Sequence, residues 1–505
     1  MLELIAGCLF WGGIIIALFL LRPSAKIQQL TIEKCEKKEW IIVGIVMLLT
    51  ILLCVLPMSI NPYYNGEKPD HRNQYELLAE AILEGHFDIR YDWADDLTIL
   101  DNPYSPAERD SAGVKYPLDH AYYKGHYYVY FGIVPVILLF LPYLIVTGSS
   151  LTTYHTTQIF VAFIILGLFA LFWQMAKKWF KELTFGLYLA LAVSLSIMSV
   201  WYSIDTPALY CTAITAGICM EVWSLYFFVK GVFVESNETR RTIFAFIGAL
   251  FGALAFGCRP PIALVNILVI PMLIYYVKGR SINKKLILQL IFVALPYVIV
   301  GILLMLYNYV RFDSFTEFGQ TYQLTAADQS NYGSLIQRLS IIEGINGLYD
   351  NLFCFAKLSH DFPYIQFNGA FINFPILFFV FFVFYKPIKE KLKDMDIKGF
   401  IYSILLVPII VTMLDVIYSP WLLERYRMDI YFIMGILCFA AIGFLYQVVQ
   451  NKRRYLMIVS VMAIYTVFCC FMLFLKPDDW NYTYVFPEAL DKVKSCLSFG
   501  LFKDS

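Results

Sequence analysis

Charge is scarce in this 505-residue chain: Asp, Glu, Lys and Arg make up 15% of it, where a soluble protein carries about a quarter. Neither sign is in excess, since 39 basic residues face 39 acidic ones. The chain therefore offers no field to hold a polyanion, and nucleic acid is excluded as a partner. No Cys-x-x-Cys pair or Cys/His metal spacing occurs among the 11 cysteines. Most of them (Cys8, Cys54, Cys211, Cys219, Cys258, Cys438, Cys469, Cys470) lie in apolar runs, where a thiol behaves as a small hydrophobe, so a disulfide framework is excluded. A phosphate-cradling glycine loop, a serine-nucleophile motif and an ATPase signature are also missing. The 28 glycines and 21 prolines follow no period, which excludes collagen-like and low-complexity architectures. What is there is hydrophobicity: 59% of residues are apolar and the mean hydropathy is +0.65. This is the composition of an all-α polytopic membrane protein.

A helix of about 20 apolar residues crosses the hydrocarbon. Spans are expected near 4–21, 40–60, 155–174, 183–203, 208–229, 242–258, 262–277, 286–307, 371–385, 399–419, 429–447 and 455–475. No basic stretch precedes the first apolar run, so it reads as an uncleaved span. One more apolar stretch, 130–147, contains Pro135 and Pro142, each of which removes a helix hydrogen bond. If it does not cross, more than half of the basic residues fall in short loops on one side, among them Arg22, Lys177, Arg240, Lys284, Lys391 and Arg453. If it does cross, the bias contradicts itself between the two ends of the chain. The positive-inside rule therefore favours an interfacial or re-entrant 130–147, about twelve true spans and both termini outside.

Four regions follow: a first span with its cytoplasmic loop (1–39), a core at 40–285, a second transmembrane region at 286–475 and an external tail at 476–505. Two long external loops, 61–129 and 308–370, stand out, because loops of that length usually carry function. The first is dense in carboxylates, such as Asp70, Asp92, Asp95, Asp96 and Asp119, and in tyrosines, such as Tyr75, Tyr91, Tyr104, Tyr122 and Tyr127. Acceptors for hydroxyls beside apolar plates suit a sugar; an interfacial aromatic belt with solvated acids would look similar. Within it, Pro69-Asp70-His71-Arg72 precedes NQYELLAEAILEG, where Tyr75, Leu78 and Ile82 share a helical face opposite Glu76, Glu80 and Glu84, and Gly85 closes the helix. Asp70 suits a helix N-cap directly; a general base asks for more, an ionised carboxylate aimed at an acceptor hydroxyl in a cleft near the bilayer. Asp92, Asp95 and Asp96 with His86, His120 or His126 could take a divalent metal, but no spacing repeats a known ligand pattern, and no metal or other cofactor is indicated.

An uncleaved span, an Asp opening a short Y-x-x-L-A-x-A-x-L-x-G-H helix, and an interfacial helix ending in Thr-Gly (VPVILLFLPYLIVTG) resemble the GT-C superfamily of polytopic glycosyltransferases, such as protein O-mannosyltransferases and bacterial aminoarabinose transferases. YNYVRFDSFTEFGQTYQL (307–324) and LLERYRMDIYF (422–432) are similar to segments of bacterial members. The core of the resemblance covers about 40–280. It departs at His71, where members often have Glu.

The resemblance implies transfer of a sugar from a polyprenyl-phosphate donor, with inversion and commonly without metal. The acceptor would be a cell-envelope glycan, lipid or protein outside a bacterial plasma membrane. Asp70 would then be the base, with His71 and Tyr75 beside it. A departing lipid phosphate needs cations near the outer boundary. Arg259, Arg311, Arg425 and Arg427 are placed to supply them, and Arg259 stands alone between two apolar runs with no acidic neighbour in sequence. The alternatives are a transporter or flippase, for which Glu221 and Asp415 inside spans would couple ions, and a glycan polymerase or ligase, which need not use Asp70.

Overall fold

The computed structural model describes residues 2–59, 73–331, 340–355, 359–418, 423–476 and 487–499. Its helices are named here in chain order: α1 (Leu2–Leu20), α2 (Lys37–Ser59), α3 (Gln74–Leu83), α4 (Thr153–Trp179), α5 (Phe185–Asp205), α6 (Leu209–Val229), α7 (Glu238–Phe256), α8 (Pro260–Val277, irregular in its first half), α9 (Lys284–Phe312), α10 (Ile341–Leu352), α11 (Lys398–Tyr418), α12 (Met428–Val448), α13 (Lys452–Leu475) and α14 (Pro487–Leu497). Among the described residues, 11 helices are long and apolar enough to cross a membrane, all of these except α3, α10 and α14. The protein is a mostly helical, polytopic membrane protein.

The expected span at 371–385 is the exception. Ala370–Asn373 is a single α turn, and Pro375–Phe384 is a ten-residue 3-10 helix. A 3-10 helix rises about 2.0 Å per residue against 1.5 Å for an α-helix, so ten residues reach about 20 Å. This segment connects opposite ends of the bundle. Asn368 accepts from Arg427 at one end, and beyond Tyr385 the chain reaches Asp396, paired with Lys278 at the other.

The two ends differ in chemistry. At one, short basic loops meet: Thr31 bridges Thr184, Lys452 reaches Glu182 at 3.2 Å, Lys278 pairs with Asp396 at 2.6 Å, and Arg280 and Lys285 both meet Glu238. At the other, the long loops fold over the helix ends. Buried between them, α12 is enclosed along its whole apolar window, whereas α1 leaves nearly all of its side chains open to the surroundings. Small residues make the centre possible: Gly443 of α12 lies against the Phe180 ring and Gly435 against Met198.

The first long loop is folded. Its sheet, β1 (Asp88–Ile89), β2 (Ala121–Tyr123) and β3 (His126–Tyr128), runs in the order β1-β3-β2, all antiparallel. Residues 313–331 of the second loop are stitched to it: Asp119 N–H donates to Leu324 C=O at 2.8 Å, Leu324 N–H to His120 C=O at 2.8 Å, and Tyr122 N–H to Tyr322 C=O at 2.9 Å. Arg109, almost wholly buried, spans both loops by donating to the Pro103 and Thr325 carbonyls.

Helix α3 buries Tyr75, Leu78 and Ala79, while on its other side Glu76 accepts from Thr153 N–H and Glu80 from the Ser150 hydroxyl. Its N-cap position is Asn73, whose side chain makes no cap hydrogen bond; Asp70, read from sequence as a possible cap, lies outside the described residues. Gly85 closes the helix at φ 89°, a left-handed conformation glycine adopts freely. The apolar segment Val136–Thr147 has 12 residues, short of a crossing length. Both its flanks stay at the loop end: Val134 N–H donates to Gly257 C=O, and Ser150 reaches Glu80.

Candidate functional site

At the loop end of the bundle, four stretches distant in sequence converge. The first is Asp119, held by the stitching just described at φ 57°, a left-handed conformation that Asp tolerates better than most residues. Its carboxylate accepts from the Tyr210 hydroxyl, at the start of α6, and from Gln323 Nε2 at 3.4 Å. Gln74 Nε2 binds its carbonyl at 3.1 Å, tying the start of α3 to the same point.

Arg425 comes from the short 3-10 turn Glu424–Arg427 that leads into α12. Its guanidinium lies 4.4 Å from the centre of the Tyr210 ring and 5.4 Å from that of Tyr426, half-buried, with no ion-pair partner among the described residues. Arg259 approaches from the break between α7 and α8. Proline disfavours helical backbone at the residue before it, and Arg259, followed by Pro260, is extended at φ −154° and ψ 107°. Its guanidinium stacks over Tyr426 at 4.8 Å.

Arg259 does not stand alone, and here the sequence expectation is corrected. Nε and Nη2 donate to Asp429 of α12 at 2.8 and 2.7 Å, and Asp415 of α11 lies 3.8 Å away. Both carboxylates are buried. The countercharges lie about 160 and 170 positions along the chain, beyond any local reading, so the cation available to a ligand is Arg425 rather than Arg259. Tyr426 is shared by the Arg259 and Arg425 guanidiniums, and Asp119 accepts from the hydroxyl of the Tyr210 ring that Arg425 covers.

Arg311 is spent on structure. It donates to Val129 C=O at 2.6 Å and Asn308 Oδ1 at 2.9 Å, and stacks on Tyr307 at 3.7 Å, locking α9 to the strand leading out of the first loop. Arg427 donates to Asn368 C=O at 2.9 Å. Tyr75 is fully buried against Phe131 and Phe140, with no partner for its hydroxyl among the described residues. Asp70 and His71 lie outside the described residues.

The tyrosine-rich character of the first loop has a structural explanation. Tyr122 and Tyr127 are core residues of the loop, packed with Leu97 and Leu324. Tyr91 donates to His120 Nε2 at 2.9 Å while His120 Nδ1 donates to Leu118 C=O, which sets the tautomer. Burial pushes the His120 pKa down to about 4, so the ring is neutral at neutral pH. Two of the three acids considered as metal ligands, Asp95 and Asp96, are likewise occupied. Asp95 accepts from Lys115 N–H, and Asp96 is held below the usual carboxylate range by the Thr98 backbone and hydroxyl and by Tyr122. Among the described residues, no group of three or more His, Cys, Asp and Glu is placed to hold a metal ion.

Tyr210 and Asp429 were not singled out from sequence. Asp429 had a signal, an ionisable residue inside an apolar run; Tyr210 had none. In comparisons with known proteins, no family model, no curated protein and no solved structure matches the chain.

Proposed function

We propose that the chain is a membrane glycosyltransferase of the GT-C kind, moving a sugar from a polyprenyl-phosphate donor to an acceptor at the outer face of a bacterial plasma membrane. The observation that carries the reading is Arg425, a guanidinium without an ion-pair partner among the described residues, laid over the Tyr210 ring whose hydroxyl donates to Asp119, at the end of the bundle away from the basic loops. The positive-inside rule assigns those loops to the cytoplasm. Arg425 then stands at the outer lipid boundary, where a phosphate headgroup lies, and its planar fork matches phosphate oxygens. Val136–Thr147 is read as interfacial, bordering the same region.

In this reading Asp70 takes the proton from the acceptor hydroxyl as that oxygen bonds to the sugar's anomeric carbon. The bond from that carbon to the phosphate oxygen breaks, and the electron pair leaves with polyprenyl phosphate, which Arg425 stabilises. Arg259, held by Asp429 and Asp415, fixes the turn that presents Arg425. The acceptor is a glycan, lipid or protein of the cell envelope.

A transporter or flippase is the second reading, favoured by the buried polar group around Glu221 inside the spans. Surface glycans separate the two. Cells lacking this chain are expected to lose one defined sugar from an envelope component, by mass spectrometry, while its polyprenyl-phosphate donor accumulates on the membrane. A flippase defect would instead leave the lipid-linked sugar trapped on the cytoplasmic side.

A further inference from the structure

Well inside the bundle, away from the site above, four spans meet around one polar group. Glu221 of α6 is completely buried. One of its carboxylate oxygens accepts from Asn266 Nδ2; the other has no hydrogen-bond partner among the described residues. Asn266 sits where α8 is wound as a 3-10 helix, Leu264–Leu268. The same Nδ2 also points at the carbonyls of Ala263, at 2.9 Å, and Gly252 of α7, at 3.0 Å. Tyr297 of α9 donates to Asn266 Oδ1. Gly252 is required by this arrangement, because a Cβ there would overlap Asn266 Oδ1 and crowd Tyr297 Oη and Ser224 Oγ. Its role goes beyond the close helix packing that small residues usually serve.

Three oxygens converge on Asn266 Nδ2, two of them helix carbonyls, and the second Glu221 oxygen has no hydrogen-bond partner among the described residues. An ionised carboxylate left this way in an apolar interior is costly. A proton or a cation would relieve that cost, and only a cation is met by all of the oxygens that converge here.

We infer that this is a binding site for a monovalent cation, sodium in the first instance, with Glu221, the Gly252 and Ala263 carbonyls and the Asn266 amide oxygen as its ligands. Oxygen-only ligands select hard cations. The charge on Glu221 balances one positive charge, and no second carboxylate bears on it electrostatically among the described residues. The amide nitrogen of Asn266 occupies the point where the oxygens converge; an entering cation displaces it. This assignment does not depend on the glycosyltransferase reading.

The test is thermal unfolding of the purified full-length protein in detergent, titrated with sodium chloride against choline chloride at constant ionic strength, at neutral and at alkaline pH. The expected result is a saturable upward shift of the unfolding midpoint with sodium that choline does not give, because a ligand bound only by the folded state stabilises it. The Glu221→Gln protein, nearly isosteric, is expected to lose that shift and to unfold no earlier than wild type in choline. Tyr297 and Cys258 are the other titratable groups facing Glu221. A midpoint that changes with pH but is the same in both salts would assign the site to a proton, and one that changes with neither would leave a structural network; each overturns the inference. If Glu221→Gln does not accumulate, the wild-type titration decides alone.

Discussion

Asp70→Asn is expected to leave a protein that inserts and accumulates normally but transfers sugar roughly 10²- to 10⁴-fold more slowly, the usual contribution of a positioned general base. The amide keeps the shape of the carboxylate and cannot take the acceptor's proton. The helix that follows begins at Gln74, with Asn73 at its N-cap, and the amide keeps capping capacity, so a fall in turnover at normal protein level reports the lost base. Transfer assays on membranes adjusted to equal protein content check it. Near-normal turnover would move the base elsewhere, and Asp119, with its carboxylate held by Tyr210, is the next carboxylate to replace.

Arg425→Ala should be of comparable size. Negative charge develops on the departing phosphate, so a guanidinium aimed at it binds the transition state more tightly than the ground state. Losing one such donor costs roughly 10²- to 10³-fold in turnover. Arg425→Lys should recover only part of the loss, since an ammonium is a point charge without the planar fork. Arg259 behaves differently in this account. Its replacement leaves Asp429, fully buried, and Asp415 without their countercharge, so folding suffers together with turnover. Steady-state donor kinetics on purified variants separate the cases: Arg425→Ala lowers turnover in a folded protein, whereas Arg259→Ala lowers the amount of protein.

The spans were legible because an apolar run of about 20 residues has few other uses. The stretch 371–385 read as a full-length span from the same signal, and composition alone could not distinguish ten residues of 3-10 helix at Pro375–Phe384 from an α-helix. The short basic loops pointed to one common end, which the Lys278–Asp396 and Lys452–Glu182 contacts join. The site was less legible. Arg259 seemed solitary because its partners are neighbours only after α8, α11 and α12 have packed. Arg311 looked like a free outer cation, but its donors go to Val129 and Asn308. The tyrosines of the first loop matched a sugar platform in composition, yet Tyr122 and Tyr127 are needed to fill the loop's own small core. Asp119 and Tyr210 are 91 positions apart, and no pattern in either stretch marks them as a pair.

The most direct measurement incubates the purified protein, reconstituted in vesicles, with the polyprenyl-phosphate sugars and envelope acceptors extracted from cells that lack it, and follows the lipids by mass spectrometry. One polyprenyl-phosphate sugar should be consumed, with polyprenyl phosphate appearing in equal amount and the sugar found on an acceptor, and the Asp70→Asn and Arg425→Ala proteins should do this far more slowly. Movement of an intact lipid-linked sugar across the vesicle membrane, with no polyprenyl phosphate released, would contradict the account.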